Sequence, residues 1–268
     1  MHIHFLDPYH PLESPIHALD ARVKFILAIG FVVACSLTPS AAWPAYVLLL
    51  AIILSVEILS GLGIGYVVRR SALALPFALA AFPVIFTTTG TALFRFEIGG
   101  LSLAVTLKGL ELFASIVLKS WLSVQAAILL AASSPFPDLL KAMRAVHVPK
   151  LLVAMFGLMW RYLFVLMDEA IRLIRARAAR SGESANPGVR SGGSVLWRAK
   201  STGGMAGNLL LRAFERSERI YAAMLARGYD GEIRGVPVPA LAPRAWLILI
   251  LGLVLFVLLW LLGQSFGR

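Results

Sequence analysis

Two stretches of this chain place an arginine where it could do chemistry. SERIYAAMLARGY, residues 217–229, and IRLIRARAARSGE, residues 171–183, each read as a basic helix that stops on Ala-Arg before Gly or Ser. A guanidinium is a planar fork that can make bidentate bonds to a carboxylate, so a rigid helix ending on one offers it to an acidic groove. The candidate contact residues are Ala226, Arg227 and Gly228 at one end and Ala179, Arg180 and Ser181 at the other. Small Ala222, Ala223 and Ala226 would let a partner's backbone come close. Gly228 suits the left-handed turn that ends a helix, and Arg227 complements the negative end of the dipole. Arginine followed by glycine is also ordinary capping. Two such ends within one basic block favour contact with a partner over capping alone.

Other residue types that could do chemistry converge less. His2, His4, His10 and His17 fall in the first seventeen residues, and imidazole is a ligand for cobalt, nickel or zinc. His2 and His4 are candidate metal ligands on that ground, but the segment has no helical or hairpin spacing, and a surface loop is the plainer expectation. Glu57, Lys108, Glu111, Lys119 and Arg161 lie in or near apolar runs, where ionisable groups are functional suspects by default. Most stand near the predicted ends of those runs, where they can snorkel or pair between helices. There is no G-x-x-x-x-G-K-[ST] phosphate loop, no H-E-x-x-H and no G-x-S-x-G, so neither ATP hydrolysis nor intramembrane catalysis is expected, and no cofactor is called for.

The elements that must position these residues follow from composition. Of 268 residues 59% are apolar and 15% charged, with a mean hydropathy of +0.82, more oil than a soluble core needs. An all-α integral membrane protein is expected. Crossing about 30 Å of hydrocarbon takes about 20 helical residues, and runs of that order occur at 22–38, 43–60, 71–89, 103–132 and 245–263. A sixth apolar stretch, 151–167, is short, carries Arg161 and continues into DEAIRLIRARAARS without a breaker. It predicts one long helix, half apolar and half in water. Asp20 can cap the first span, Pro44 suits the first turn of the second, and Pro135, Pro137 and Pro149 bracket a short helix. Residues 182–204, rich in Gly and Ser, predict a flexible connection to a second solvated helix from about Met205 to Arg227. On that helix Leu210, Phe214, Ile220, Tyr221 and Met224 share a face built to bury, while Arg212, Arg216, Arg219 and Arg227 lie on the other side. The predicted organisation is a membrane domain 1–132, a cytoplasmic domain 133–243 with the linker inside it, and a last membrane helix in 244–268.

Charge sets the orientation. The net charge is +11, and from Ser134 to Arg244 seventeen Lys and Arg face eight Asp and Glu. Between membrane segments such a block meets lipid headgroups or an acidic protein rather than nucleic acid. Arg22 and Lys24, Arg69 and Arg70, and the block itself share one side if the amino terminus is cytoplasmic.

LLLRAFERSERIYAAMLARGYDG at 209–231 and SPIHALDARVKFIL at 14–27 resemble the transmembrane T component of energy-coupling factor transporters, in its cobalt-type CbiQ branch, and the likeness spans nearly the whole chain. The resemblance implies a non-catalytic subunit of an ATP-driven importer in the plasma membrane, for cobalt or nickel. Its partners would be two ATP-binding cassette ATPase subunits and a substrate-binding membrane subunit. It further implies two cytoplasmic coupling helices whose terminal arginines dock one ATPase each, Arg227 with Ala226 and Gly228 being the second motif. The first motif reads Ala-Arg-Ser at 179–181, and Ala176 with Arg177 offers a competing register. A self-contained transporter or channel with a cytoplasmic regulatory block is the alternative, but the two related halves it would need are not visible.

Reporter fusions test the five-span topology. Fusions after Arg70 and Gly192 should report the cytoplasm and one after Arg268 the outside. A cytoplasmic signal at Arg268 would make 151–167 a sixth span.

Overall fold

A computed structural model of the chain describes residues 8–98, 101–180, 194–231 and 240–266. They fall into two compact units, Met1–Val146 with Val238–Arg268, and His147–Pro237. The architecture is that of an all-α membrane protein with one added hairpin. Among the described residues four helices are long and apolar enough to cross a membrane.

In the first unit a short helix α1 (Pro15–Ala18) leads into α2 (Ala21–Leu37). Asp20 caps α2 as expected, its Oδ1 accepting from the Arg22 N–H at 2.9 Å. α3 (Trp43–Ser60) opens on Pro44 and stops at Gly61, whose φ of 72° is left-handed. The core lies where α2 and α3 meet α7 (Leu107–Ser133) and α11 (Pro243–Phe266), with Phe31, Leu49, Ile53, Leu122, Phe256 and Leu259 packed around Cys35. Lipid tails are as apolar as leucine, so such helices are held by fit. The rings of Phe31 and Phe256 meet edge to face at 5.9 Å. Gly252 lies so close to α2 that a Cβ there would stand 2.5 Å from Leu27 Cδ2.

The third expected span, 71–89, is not one helix. It is broken into α4 (Ile64–Ser71), a 3-10 turn at Ala72–Ala74, α5 (Leu75–Leu79) and α6 (Val84–Thr87). Pro76 lies at the start of α5 and Pro83 at the N-cap of α6, and neither can donate the bond that would continue the helix before it. α7 compensates for the breaks. Trp121 Nε1 donates to Ser71 Oγ at 2.9 Å, and Thr106 Oγ1 donates to the carbonyl of Thr88 at 2.9 Å. Because Ser71 pairs with the middle of α7 and Thr88 with the residue just before its start, the broken segment runs antiparallel along about 22 Å of its first half, at 1.5 Å per residue. Irregular backbone is tolerated at membrane depth where neighbouring protein satisfies it in this way.

Between that segment and α7 stand β1 (Ala92–Ile98) and β2 (Leu101–Thr106), an antiparallel pair in the register Arg95↔Ala104 and Glu97↔Ser102. The hairpin replaces the start of the fourth expected span, which begins at Leu107 rather than at 103. Phe94, Phe96 and Ile98 alternating with Arg95 and Glu97 carry the period of two that marks a strand. α8 (Phe136–Ala145) follows α7 and packs on α2.

The second unit is a pair of long helices. α9 (Lys150–Arg180) is the single continuous helix expected, about 47 Å long, apolar in its first half. α10 (Val195–Ala226) begins ten residues before the expected Met205, capped by Ser194, whose Oγ accepts from the Trp197 N–H at 3.2 Å. Residues 195–204 are therefore helix rather than linker.

Close packing at the head of α7 yields a stability prediction. A Cβ on Gly109 would lie 2.6 Å from the Ile85 carbonyl oxygen and 2.8 Å from Thr106 Oγ1, so Gly109→Ala should destabilise by about 1–3 kcal/mol. Gly65, in open space on α4, gains helix propensity on the same change. Melting of the purified protein should fall for Gly109→Ala and hold or rise for Gly65→Ala.

Candidate functional site

The carboxyl end of α10 is built as a full cap. Gly228 takes φ 77°, its N–H donates to Leu225 O at 2.9 Å, and the Tyr229 N–H reaches back to Met224 O at 3.0 Å. This is the glycine-terminated stop in which backbone amides close the last carbonyls. The Arg227 guanidinium is not spent on it. Arg227 is exposed and makes no ion pair or side-chain hydrogen bond among the described residues. Capping and presentation of the arginine are thus compatible, since the first uses backbone and leaves the side chain outside.

At the end of α9, Arg180 is the last helical residue, with Ala179 and Ala176 exposed beside it. Ser181 lies outside the described residues. Arg180 is exposed and makes no ion pair or hydrogen bond among the described residues. Arg177 differs: it is half-buried, and its Nη1 donates to Thr202 Oγ1 at 2.6 Å, while that hydroxyl donates to Arg198 O at 2.7 Å.

The face of α10 expected to bury stands open. Leu210, Phe214 and Tyr221 are 58, 60 and 56% exposed, and no residue of α10 is buried. Arg212 and Arg216, expected on the other side of α10, meet an acid of α9 there. Glu169, nearly buried on α9, takes Arg212 Nη1 at 3.1 Å on Oε1 and Arg216 Nη2 at 3.3 Å on Oε2. The four-residue spacing of Arg212 and Arg216 does put two guanidiniums on one face, but nothing in the sequence names their acid across a gap of 43 residues.

The remaining candidates stay apart. His2 and His4 lie outside the described residues. His10 Nε2 and Tyr66 Oη are 3.1 Å apart, and His17 Nδ1 and Ser14 Oγ 2.7 Å. Burial, with the Lys24 ammonium nearby, holds His17 below the usual histidine range. No group of three His, Cys, Asp or Glu that could hold a metal occurs among the described residues. Lys119 Nζ donates to Ser36 O at 3.1 Å, and Lys108 and Arg161 are exposed. Glu57 on α3 and Gln125 on α7 are fully buried, and neither side chain has a hydrogen-bond partner among the described residues.

Comparison with known proteins identifies the family. The family described as cobalt transport protein, CbiQ, matches residues 13–237. The cobalt transport protein CbiQ of Rhodobacter capsulatus is 29% identical over 233 residues, 87% of this chain and 86% of its own length. An energy-coupling factor transporter transmembrane protein EcfT of Thermosediminibacter oceani is 30% identical over 232 residues, 83% of each chain. A putative fused cobalt transport protein CbiMQ of Methanocorpusculum labreanum is 26% identical over 266 residues, 94% of this chain but 42% of that longer protein. An α-helical membrane protein alike over nearly its whole length to these transporter components belongs to the CbiQ family of cobalt transport proteins.

Proposed function

We propose that this chain is the non-catalytic coupling subunit of an energy-coupling factor importer, carrying motion from two ATPase subunits to a substrate-binding membrane subunit. The observation that carries the reading is that each long helix of the second unit ends at an exposed arginine whose side chain makes no ion pair or hydrogen bond among the described residues. Arg227 and Arg180 are the docking residues, flanked by Ala226 and Gly228 and by Ala179 and Ser181. Of the two registers at the first end, Arg180 is preferred because Arg177 is engaged by Thr202. The open apolar face of α10 supplies the surface around Arg227 that a partner would cover. α9 joins its terminal arginine to an apolar half without a proline, so a push at Arg180 reaches the membrane along one rod. The amino terminus and the second unit's arginines face the cytoplasm; the cargo is cobalt, which the names of the CbiQ relatives suggest, or nickel, for which the support is the resemblance alone.

Removing one partner of a buried, bonded ion pair costs about 3–5 kcal/mol, two to nearly four orders of magnitude in affinity, against about 0–1 kcal/mol for an exposed pair. Arg227→Glu should therefore release an ATPase or uncouple hydrolysis from cobalt(II) uptake while the chain still inserts, and Arg227→Lys should be intermediate for want of the bidentate fork. Arg180→Glu should be milder alone and severe with Arg227→Glu, because two contacts in one assembly share the load. Arg219→Glu, an exposed charge on the same helix, is the control. ATPase retention on purified complexes and cobalt(II) uptake in cells are the measurements. Full retention and uptake in the double variant would reduce both arginines to helix ends.

A further inference from the structure

We propose that Tyr66, Arg69 and Arg70 on α4 form a site for the headgroup phosphate of an anionic phospholipid, whose acyl chain lies on Leu73 and Phe77. The site belongs to the first unit and does not depend on the docking role of the second. Gly65, Tyr66, Arg69, Arg70 and Leu73 line an open recess of about 500 Å³. Arg70 is held in it: its Nη1 donates to Tyr66 Oη, and its guanidinium carbon lies 5.5 Å from the centre of the Tyr66 ring. Tyr66 is fixed in turn by His10, whose Nε2 is 3.1 Å from Oη and whose ring meets the phenol edge to face at 5.0 Å. The His10 N–H donates to Ala132 O at 3.0 Å.

None of these partners is an acid. Among the described residues neither arginine has an ion pair, Arg69 makes no side-chain hydrogen bond, and Arg70 spends one of its five N–H donors. Capping does not occupy them either, because the Val68 carbonyl near the end of α4 accepts from the Ala72 N–H and, at 3.0 Å, from Ser71 Oγ. Two guanidiniums lining one recess, the second already oriented, suit the oxygens of a phosphate.

Depth separates a lipid from other anions. Tyr66 is tied through His10 to the last turn of α7, whereas Ser71 meets Trp121 at the middle of that helix, so this stretch descends about 16 Å along α7 at 1.5 Å per residue. Just beyond it Leu73 and Phe77 are 74 and 82% exposed, one turn apart. Charge near the end of a spanning helix and bare apolar surface toward its middle match a phospholipid, with phosphate at the surface and hydrocarbon within. A free phosphate would use only the arginines, and an acidic peptide would not follow Leu73 and Phe77 into hydrocarbon. In the orientation proposed above this is the cytoplasmic face, where the leaflet carries anionic lipid.

Native mass spectrometry of the full-length chain in detergent, titrated with phosphatidylglycerol or with phosphatidylcholine of the same chain length, reads the affinity of the first bound lipid. Phosphatidylglycerol should bind about fivefold tighter or more. Arg69→Gln, which alters an exposed side chain that makes no bond among the described residues, should lower that affinity by about fivefold, and Arg70→Gln by a similar factor. Leu73→Ser should weaken both lipids alike. Arg219→Gln, an equal loss of charge on α10, should change neither. Equal affinity of the unaltered chain for the two lipids overturns the site, as does a phosphatidylglycerol preference that survives Arg69→Gln with Arg70→Gln, which would place the attraction in the basic block. Displacement of phosphatidylglycerol by equimolar inorganic phosphate would assign the recess to a free anion, and displacement by equimolar hexaglutamate to an acidic protein; either result overturns the lipid.

Discussion

A guanidinium cannot shed its charge in hydrocarbon, and the organisation of this chain follows from where its arginines are allowed to be. Seventeen of twenty-five basic residues fall between Ser134 and Arg244. A helix that carries them must leave the bilayer, and once in water it can no longer be held by lipid. It needs its own fastening. The second unit supplies one by bringing Glu169 against Arg212 and Arg216, so that charges become the means of joining two helices that bury little else. Among the described residues Arg180 and Arg227, at the helix ends beyond that joint, keep their side-chain donors unspent.

The first unit solves a different problem with the opposite material. Its helices have few polar groups to spend, so a broken segment is expensive unless each freed backbone group finds a neighbour. Thr106, at the head of α7, provides that neighbour for the Thr88 carbonyl, Gly109 lets the Ile85 carbonyl come near by lacking a side chain, and further along Trp121 ties the segment down through the Ser71 hydroxyl. The same threonine caps α7 by accepting from the Gly109 N–H at 3.2 Å, so one side chain both starts the longest helix of this unit and ties the broken segment to it.

Much of this was legible in the sequence, and the parts that were not share a cause. Apolar run length marked α2, α3, α7 and α11, and the missing breaker after Met167 marked α9 as one helix. Asp20, Pro44 and Gly228 announced their ends because capping is a local matter of backbone geometry. Residues 71–89 misled because hydropathy measures solvent preference and ignores the donors that Pro76 and Pro83 lack. The hairpin was passed over because a short alternating run between long apolar ones is weak against them. The start of α10 was misplaced because Gly203 and Gly204 read as linker, although within a helix, with open space where a side chain would stand, they cost only propensity. The Glu169 joint depends on which face of α9 meets which face of α10, a long-range fact that no local pattern holds.

The uncovered face of α10 has a meaning for the life of the protein before it is assembled. Leu210, Leu211, Phe214, Tyr221 and Leu225 are each at least half exposed on one helix of the free chain. Contiguous apolar surface of that kind is what chaperones and proteases detect in unfinished proteins. A copy made in excess of its partners therefore advertises its own orphan status, and cover by a partner withdraws the signal. Under the coupling role proposed above, such a chain would accumulate in proportion to the subunit that covers it, its abundance set by assembly as well as by synthesis.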